Sequence, residues 1–132
     1  MNDDIESQTL SDKIALVLPA WDGIASIAVR DVLILQVKDR QYGSSWKKRG
    51  GVGAYMMLAR KWDRIDTALK VPGTDDYRSI FSVGTEDKRK ENILEDIADL
   101  RRYLLLVEDE IRRQRVVLDP SEAGTGYVYQ DE

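Results

Sequence analysis

The chain has 132 residues, enough for one domain with one core, and 42% hydrophobic with 33% charged residues suits a helix-rich soluble protein. It has no cysteine and no histidine, which excludes disulfides, thiolate metal sites and the commonest general base. A net charge of −4 argues against sequence-independent binding to duplex DNA, which needs a broad basic surface.

Residues 1–10 read as an irregular tail. Ser11 and Asp12 are placed to cap a short helix over Lys13–Leu18, which Pro19 ends. Asp22 caps a second helix running to about Gln41, with Ile24, Ile27, Ala28 and Leu35 at helical spacing. Tyr42–Gly53 is a loop rich in glycine, serine and consecutive cations. A third helix spans about Val52 to Lys70 on an apolar stripe of Tyr55, Met56, Ala59, Trp62, Ile65 and Leu69, and Val71-Pro72-Gly73 terminates it. Thr74–Gly84 is a connection with one helical turn at Tyr77–Ser82. The strongest helical pattern covers Glu86–Arg115, where Ile93, Ile97, Leu100, Leu104, Val107 and Ile111 recur at three- and four-residue steps. Residues 116–132 read as an acidic, irregular tail, in which VVL and YVY are candidate short strands. The expectation is one all-α domain over 1–132, a bundle of three to four helices that completes its core by homo-oligomerisation.

Residues 38–64 hold eight Lys/Arg against two Asp in an otherwise acidic chain. The segment also carries Tyr42, Trp46, Tyr55, Trp62 and four glycines. Positive charge, flat aromatic faces and glycines that let a backbone approach closely are what gripping a phosphorylated, base-bearing ligand requires. Lys47, Lys48 and Arg49 precede the third helix, and Arg60, Lys61 and Arg64 lie further along it, so together they form a candidate phosphate cradle. Tyr42 or Trp46 would stack on a base. Trp46 is equally placed to pack into the core, and Trp62, on the stripe, reads as core. The loop has neither the order of a Walker A motif nor a preceding strand.

Two helices each offer a pair of carboxylates three residues apart, Asp63 with Asp66 and Asp96 with Asp99, with Glu95 nearby. Residues three apart share a helix face, and carboxylates beside an apolar seam can hold Mg²⁺ or Mn²⁺ inside a bundle. A solvated face paired with Arg101 and Arg102 is the plainer alternative. Asp31 sits on the apolar stripe of the second helix and needs a partner; Lys38 or a cation of the basic helix is the expected one.

The YGSSW element with the following ARKWDRI helix resembles small phage-borne nucleotide modification associated domain proteins. The segment EDIADLRRYLLLVE resembles the acidic helix of MazG-like all-α NTP pyrophosphohydrolases. This resemblance implies Mg²⁺-dependent hydrolysis of a (d)NTP to a monophosphate and pyrophosphate, with Glu95, Asp96 and Asp99 catalytic and, with Asp63, holding the metal. The nucleotide contacts expected from Tyr42, Trp46, Lys47, Lys48, Arg49, Arg60, Lys61 and Arg64 rest on the basic loop and helix themselves. The first acidic motif of that family has no counterpart, because the equivalent helix reads ARKWDRID. A nucleotide-binding protein that sequesters or senses a phosphorylated signal is the alternative, and a helical interaction module the third. No apolar run approaches the ~20 residues of a membrane span, and the polar opening residues are not a secretory signal. A cytoplasmic location is expected, the host cytosol if a phage encodes the chain.

Overall fold

The computed structural model describes residues 9–86 and 92–121, and among these the fold is all-α. Five α-helices follow one another: α1 (Leu10–Ala15), α2 (Asp22–Tyr42), α3 (Gly50–Leu69), α4 (Ile80–Glu86) and α5 (Ile93–Leu118). Single 3-10 turns at Pro19–Trp21 and Ser45–Lys47 lead into α2 and α3. The main seam of the bundle is α3 packed along α5, while α2 and α4 touch α5 over shorter stretches.

The helix ends differ from the sequence expectation in instructive ways. Thr9, not Ser11 or Asp12, caps α1, its hydroxyl accepting from the Asp12 amide at 3.2 Å. The helix therefore starts early and stops at Ala15, and Pro19 opens a turn instead of ending a helix. Asp22 is the first helical residue of α2 and not its cap, although its charge still suits the positive end of the helix dipole. Gly43 and Gly50 bracket the loop between α2 and α3 with φ of +59° and +73°, where a side chain would be strained.

The helix expected over Glu86–Arg115 is α5, which starts later and runs on to Leu118, while α4 occupies part of the stretch expected to be a connection. α4 ends at Glu86, and α5 begins after Asn92, whose side chain accepts from the amides of Leu94 and Glu95 at 3.0 and 3.2 Å. Residues 87–91, the link between them, lie outside the described residues. Tyr77 does not start a helical turn; it pairs with Lys70 in an isolated bridge and donates to Asp66 at 3.0 Å. That bond to a carboxylate raises the tyrosine's pKa. Val116–Leu118 form the last turn of α5 and not a strand, and YVY lies outside the described residues.

The buried apolar core of the described residues is small: Ala54 and Ile65 of α3 and Ile93 of α5. Of the stripe expected to be core on α3, Ile65 is buried and Ala59 and Leu69 are half-buried, but Tyr55 and Trp62 are turned outward, 66% and 57% exposed, with Met56 exposed too. The inward side is Ala54, Leu58 and Lys61 with Ile65 at its edge, up to ~100° around the helix from the centre of the expected stripe. Ion pairs fix this phase. Turning Lys61 and Arg64 to the acidic face of α5 turns Tyr55 and Trp62 away from it. No helix among the described residues is long and apolar enough to cross a membrane.

Candidate ligand-binding site

Asp31 is the fixed point of the site. It is fully buried, and its partners are two adjacent arginines of α5, not Lys38 or a cation of α3. Arg101 embraces it with Nε on one carboxylate oxygen and Nη2 on the other, the latter at 2.8 Å. Arg102 adds a third bond from Nε at 3.0 Å. The Arg101 guanidinium holds the Asp31 carboxyl below the usual carboxylate range, with Arg102 assisting and burial opposing. Asp31 in turn raises the pKa of Arg101. A buried carboxylate is tolerated only with such pairing, and the pairing sets the register of α2 on α5.

The acidic face of α5 is met by the basic face of α3. Arg64 Nε lies 3.0 Å from Asp96, Lys61 Nζ lies 3.3 Å from Asp99, and Lys47 pairs with Glu110. Arg102 also approaches Asp99 at 3.9 Å. Asp96 is buried, whereas Glu95 and Asp63 are exposed. Among the described residues no group of three or more Asp/Glu lies close enough to hold a metal ion. As arranged, Asp63, Glu95, Asp96 and Asp99 do not fit Mg²⁺ or Mn²⁺, because the two central carboxylates are already neutralised by protein cations.

Beside this seam lies a cleft of about 260 Å³. Two stretches distant in sequence build it: Leu35, Lys38 and Asp39 at the end of α2 with Gly43, Ser45 and Trp46 of the turn that follows, and Asp99, Arg102, Tyr103 and Leu106 from α5. Trp46 and Tyr103 supply two aromatic rings. Lys61 Nζ stands 5.7 Å from the Tyr103 ring centroid, within cation–π range. Lys38 and Arg102 supply positive charge, and Asp39 and Asp99 supply acceptors. Arg102 belongs both to the cleft and to the Asp31 anchor, so the buried carboxylate fixes one of the residues that line the cleft.

A second, wider groove of about 1010 Å³ opens where the C-terminal half of α3 meets α4 and the start of α5. Arg60, Asp63, Arg64 and Asp96 line it with Lys70, Arg78, Ser79 and Ser82. Arg78 is tied down by a 2.8 Å bond to the Ala68 carbonyl, and Arg64 by Asp96.

The residues expected to form one site are thus divided. Trp46 and Asp99 meet in the cleft; Arg60, Asp63, Arg64 and Asp96 line the groove; Lys61 stands over Tyr103. Lys47 is committed to Glu110, and Lys48 and Arg49 are exposed on the turn that follows Trp46. The backbone of Tyr42 ends α2. Lys38, Asp39, Arg102 and Tyr103 complete the cleft and were not expected there. The signal for Arg102 was Asp31 itself, a carboxylate on an apolar stripe that demands a cation.

Comparison with protein-family models, curated proteins and solved structures gives no match. What the chain does must therefore be read from its own residues.

Proposed function

We propose that the protein binds a nucleotide, or a related phosphorylated small molecule with a flat ring, in the cleft between Trp46 and Tyr103. The observation that carries this reading is the convergence of two aromatic rings and two cations, Lys38 and Arg102, on one small cleft built from two distant stretches of chain. Its volume lies just under the usual range for small-molecule pockets, so it would take the ring and leave the phosphates outside. Lys48 and Arg49 follow Trp46 on an exposed turn and make no ion pair among the described residues, which leaves them available to phosphate. Asp39 and Asp99 offer acceptors to ring amines or sugar hydroxyls. The neutralised carboxylates of α5 favour binding over metal-dependent hydrolysis, since Asp96 and Asp99 would first have to leave Arg64 and Lys61. The same reading includes self-association, because three buried apolar residues among those described are a small core for five helices.

The test is incubation with a panel of nucleotides with Mg²⁺ and with EDTA, followed by chromatography of bound and free fractions. The expected result is an intact nucleotide retained in both conditions, with retention weakened about tenfold or more in Trp46→Ala, as loss of one stacking partner implies. Release of a monophosphate that stops in EDTA would overturn the binding reading and return attention to Asp96 and Asp99. Undiminished retention by Trp46→Ala would remove the cleft from consideration.

A further inference from the structure

α2 is apolar on more faces than α5 can cover. Between Gly23 and Val37 the only charged residues are Arg30 and Asp31, and Asp31 points inward to Arg101 and Arg102. A helix with apolar residues all round is normally a buried helix. Here most of α2 is open. Val29, Leu33 and Val37, on the side away from Asp31, are 52%, 56% and 49% exposed, and Ile24 and Ile27, on Asp31's own side, are exposed as well. Depletion of charge around such a stripe distinguishes the centre of a protein interface from ordinary surface.

The stripe has an internal symmetry. On a 3.6-residue repeat Asp22, Val29, Leu33 and Arg40 all fall on the face opposite Asp31. Asp22 and Arg40 stand at its two ends, 18 residues and therefore five turns apart. Neither is in an ion pair among the described residues. Ser26, on the same side, satisfies its hydroxyl within the helix by donating to the Asp22 carbonyl at 2.8 Å.

We infer that the protein forms a two-fold homodimer in which the outer face of α2 packs antiparallel on α2 of a second copy. An axis at the level of residue 31 sets Val29 against Leu33, so apolar meets apolar at the centre of the contact. The same axis sets Asp22 against Arg40 at both ends, with the helix dipoles opposed, and the two-fold uses one patch on both copies. A parallel pair would place Asp22 against Asp22 and Arg40 against Arg40. That repulsion, with the complementarity of the antiparallel register, identifies the occupant as a second copy. The exposed Leu16, Val17, Leu18 and Trp21 before α2 continue the apolar surface and would extend the contact beyond one helix width. The inference locates the self-association included in the proposed function and does not depend on any ligand.

The test uses the full chain in light scattering coupled to size exclusion. Wild type is expected to be a dimer, and Leu33→Glu to be a monomer of unchanged helical circular dichroism, with self-association weakened about a hundredfold. Leu33 is exposed in the single chain, so the variant keeps its fold. Asp22→Lys should weaken the dimer about tenfold, and adding Arg40→Asp should restore it. The chain has no native cysteine, which permits a register test. Asp22→Cys mixed with Arg40→Cys should form a disulfide-linked dimer on oxidation. Asp22→Cys alone should not, its two copies being about 27 Å apart along the axis. A monomeric wild type would overturn the inference. So would a dimer that survives Leu33→Glu, or one that dissociates only on Trp62→Glu, which would move the contact to α3. Self-linking of Asp22→Cys would overturn the antiparallel register. Retention of nucleotide by the Leu33→Glu monomer would leave the cleft standing on its own.

Discussion

Along the α3–α5 seam, buried apolar residues and flanking ion pairs share the task of holding two helices together: Ala54, Ile65 and Ile93 inside, Arg64–Asp96 and Lys61–Asp99 beside them. On α2 the arrangement is inverted. The fully buried residue is the carboxylate Asp31, and most of the large apolar side chains face outward. A seam with several modest contacts survives the loss of any one of them. A helix registered by one buried anion does not, because removing that anion strands a buried cation, Arg102, with no equivalent partner.

The largest expected effect follows from that contrast. Asp31→Ala should destabilise the chain by about 3–5 kcal/mol, the cost of breaking a buried pair from one side. Urea unfolding gives the number, and hydrogen exchange should show α2 amides losing protection before those of α3. Ile93→Ala should cost about 3 kcal/mol, as a nearly fully buried isoleucine truncated to a cavity. Here the loss of protection should begin at α4 and the start of α5. If both variants unfold α2 and α3 together, the two regions are one cooperative unit and the contrast fails.

The pH dependence separates the same regions. Asp31 has a depressed pKa in the fold, so the folded state binds its proton less readily than the unfolded state does. Its stabilisation is fully present above the ordinary carboxylate pKa of about 4 and is lost as pH falls through the lower folded value. The stability difference between wild type and Asp31→Asn should be constant from about pH 5 to 8 and shrink below about pH 4. A difference that shrinks above about pH 6 would mean that another group governs it.

Much of the fold was legible in the sequence, because the spacing of apolar residues marked α2 and α3 to within a few positions and α5 over most of its length. The phase of α3 was not legible. Its stripe of Tyr55, Met56 and Trp62 is the more apolar side, yet Lys61 and Arg64 turn the other side to α5. Charge complementarity between distant helices leaves no periodic trace in either one. The start of α5 was placed too early because the charged residues 86–91 are good helix formers, although the apolar pattern begins only at Ile93, and Asn92 announces itself only by capping geometry. At the site, Trp46 and Asp99 were readable as chemistry. That they share a cleft with Arg102 and Tyr103 depends on Asp31 finding its arginines, a contact across 70 residues of chain.

The smallest effect tests the element that both regions share. Asn92 caps α5 by accepting from the Leu94 and Glu95 amides, and Asn92→Ala removes both bonds without touching a core contact. The expected loss is about 1 kcal/mol. Asn92→Ser should recover most of it, since a serine side chain accepts from the same amides. α5 supplies Arg101 and Arg102 to α2 and Asp96 and Asp99 to α3, so fraying at its start reaches Asp96 within about one turn. It reaches Arg101 only after more than two. Exchange should therefore rise first at residues 93–97 and at the Arg64 end of α3, with α2 unaffected. An equal rise in α2 would show that its hold on α5 extends toward the helix start, beyond the Asp31 anchor.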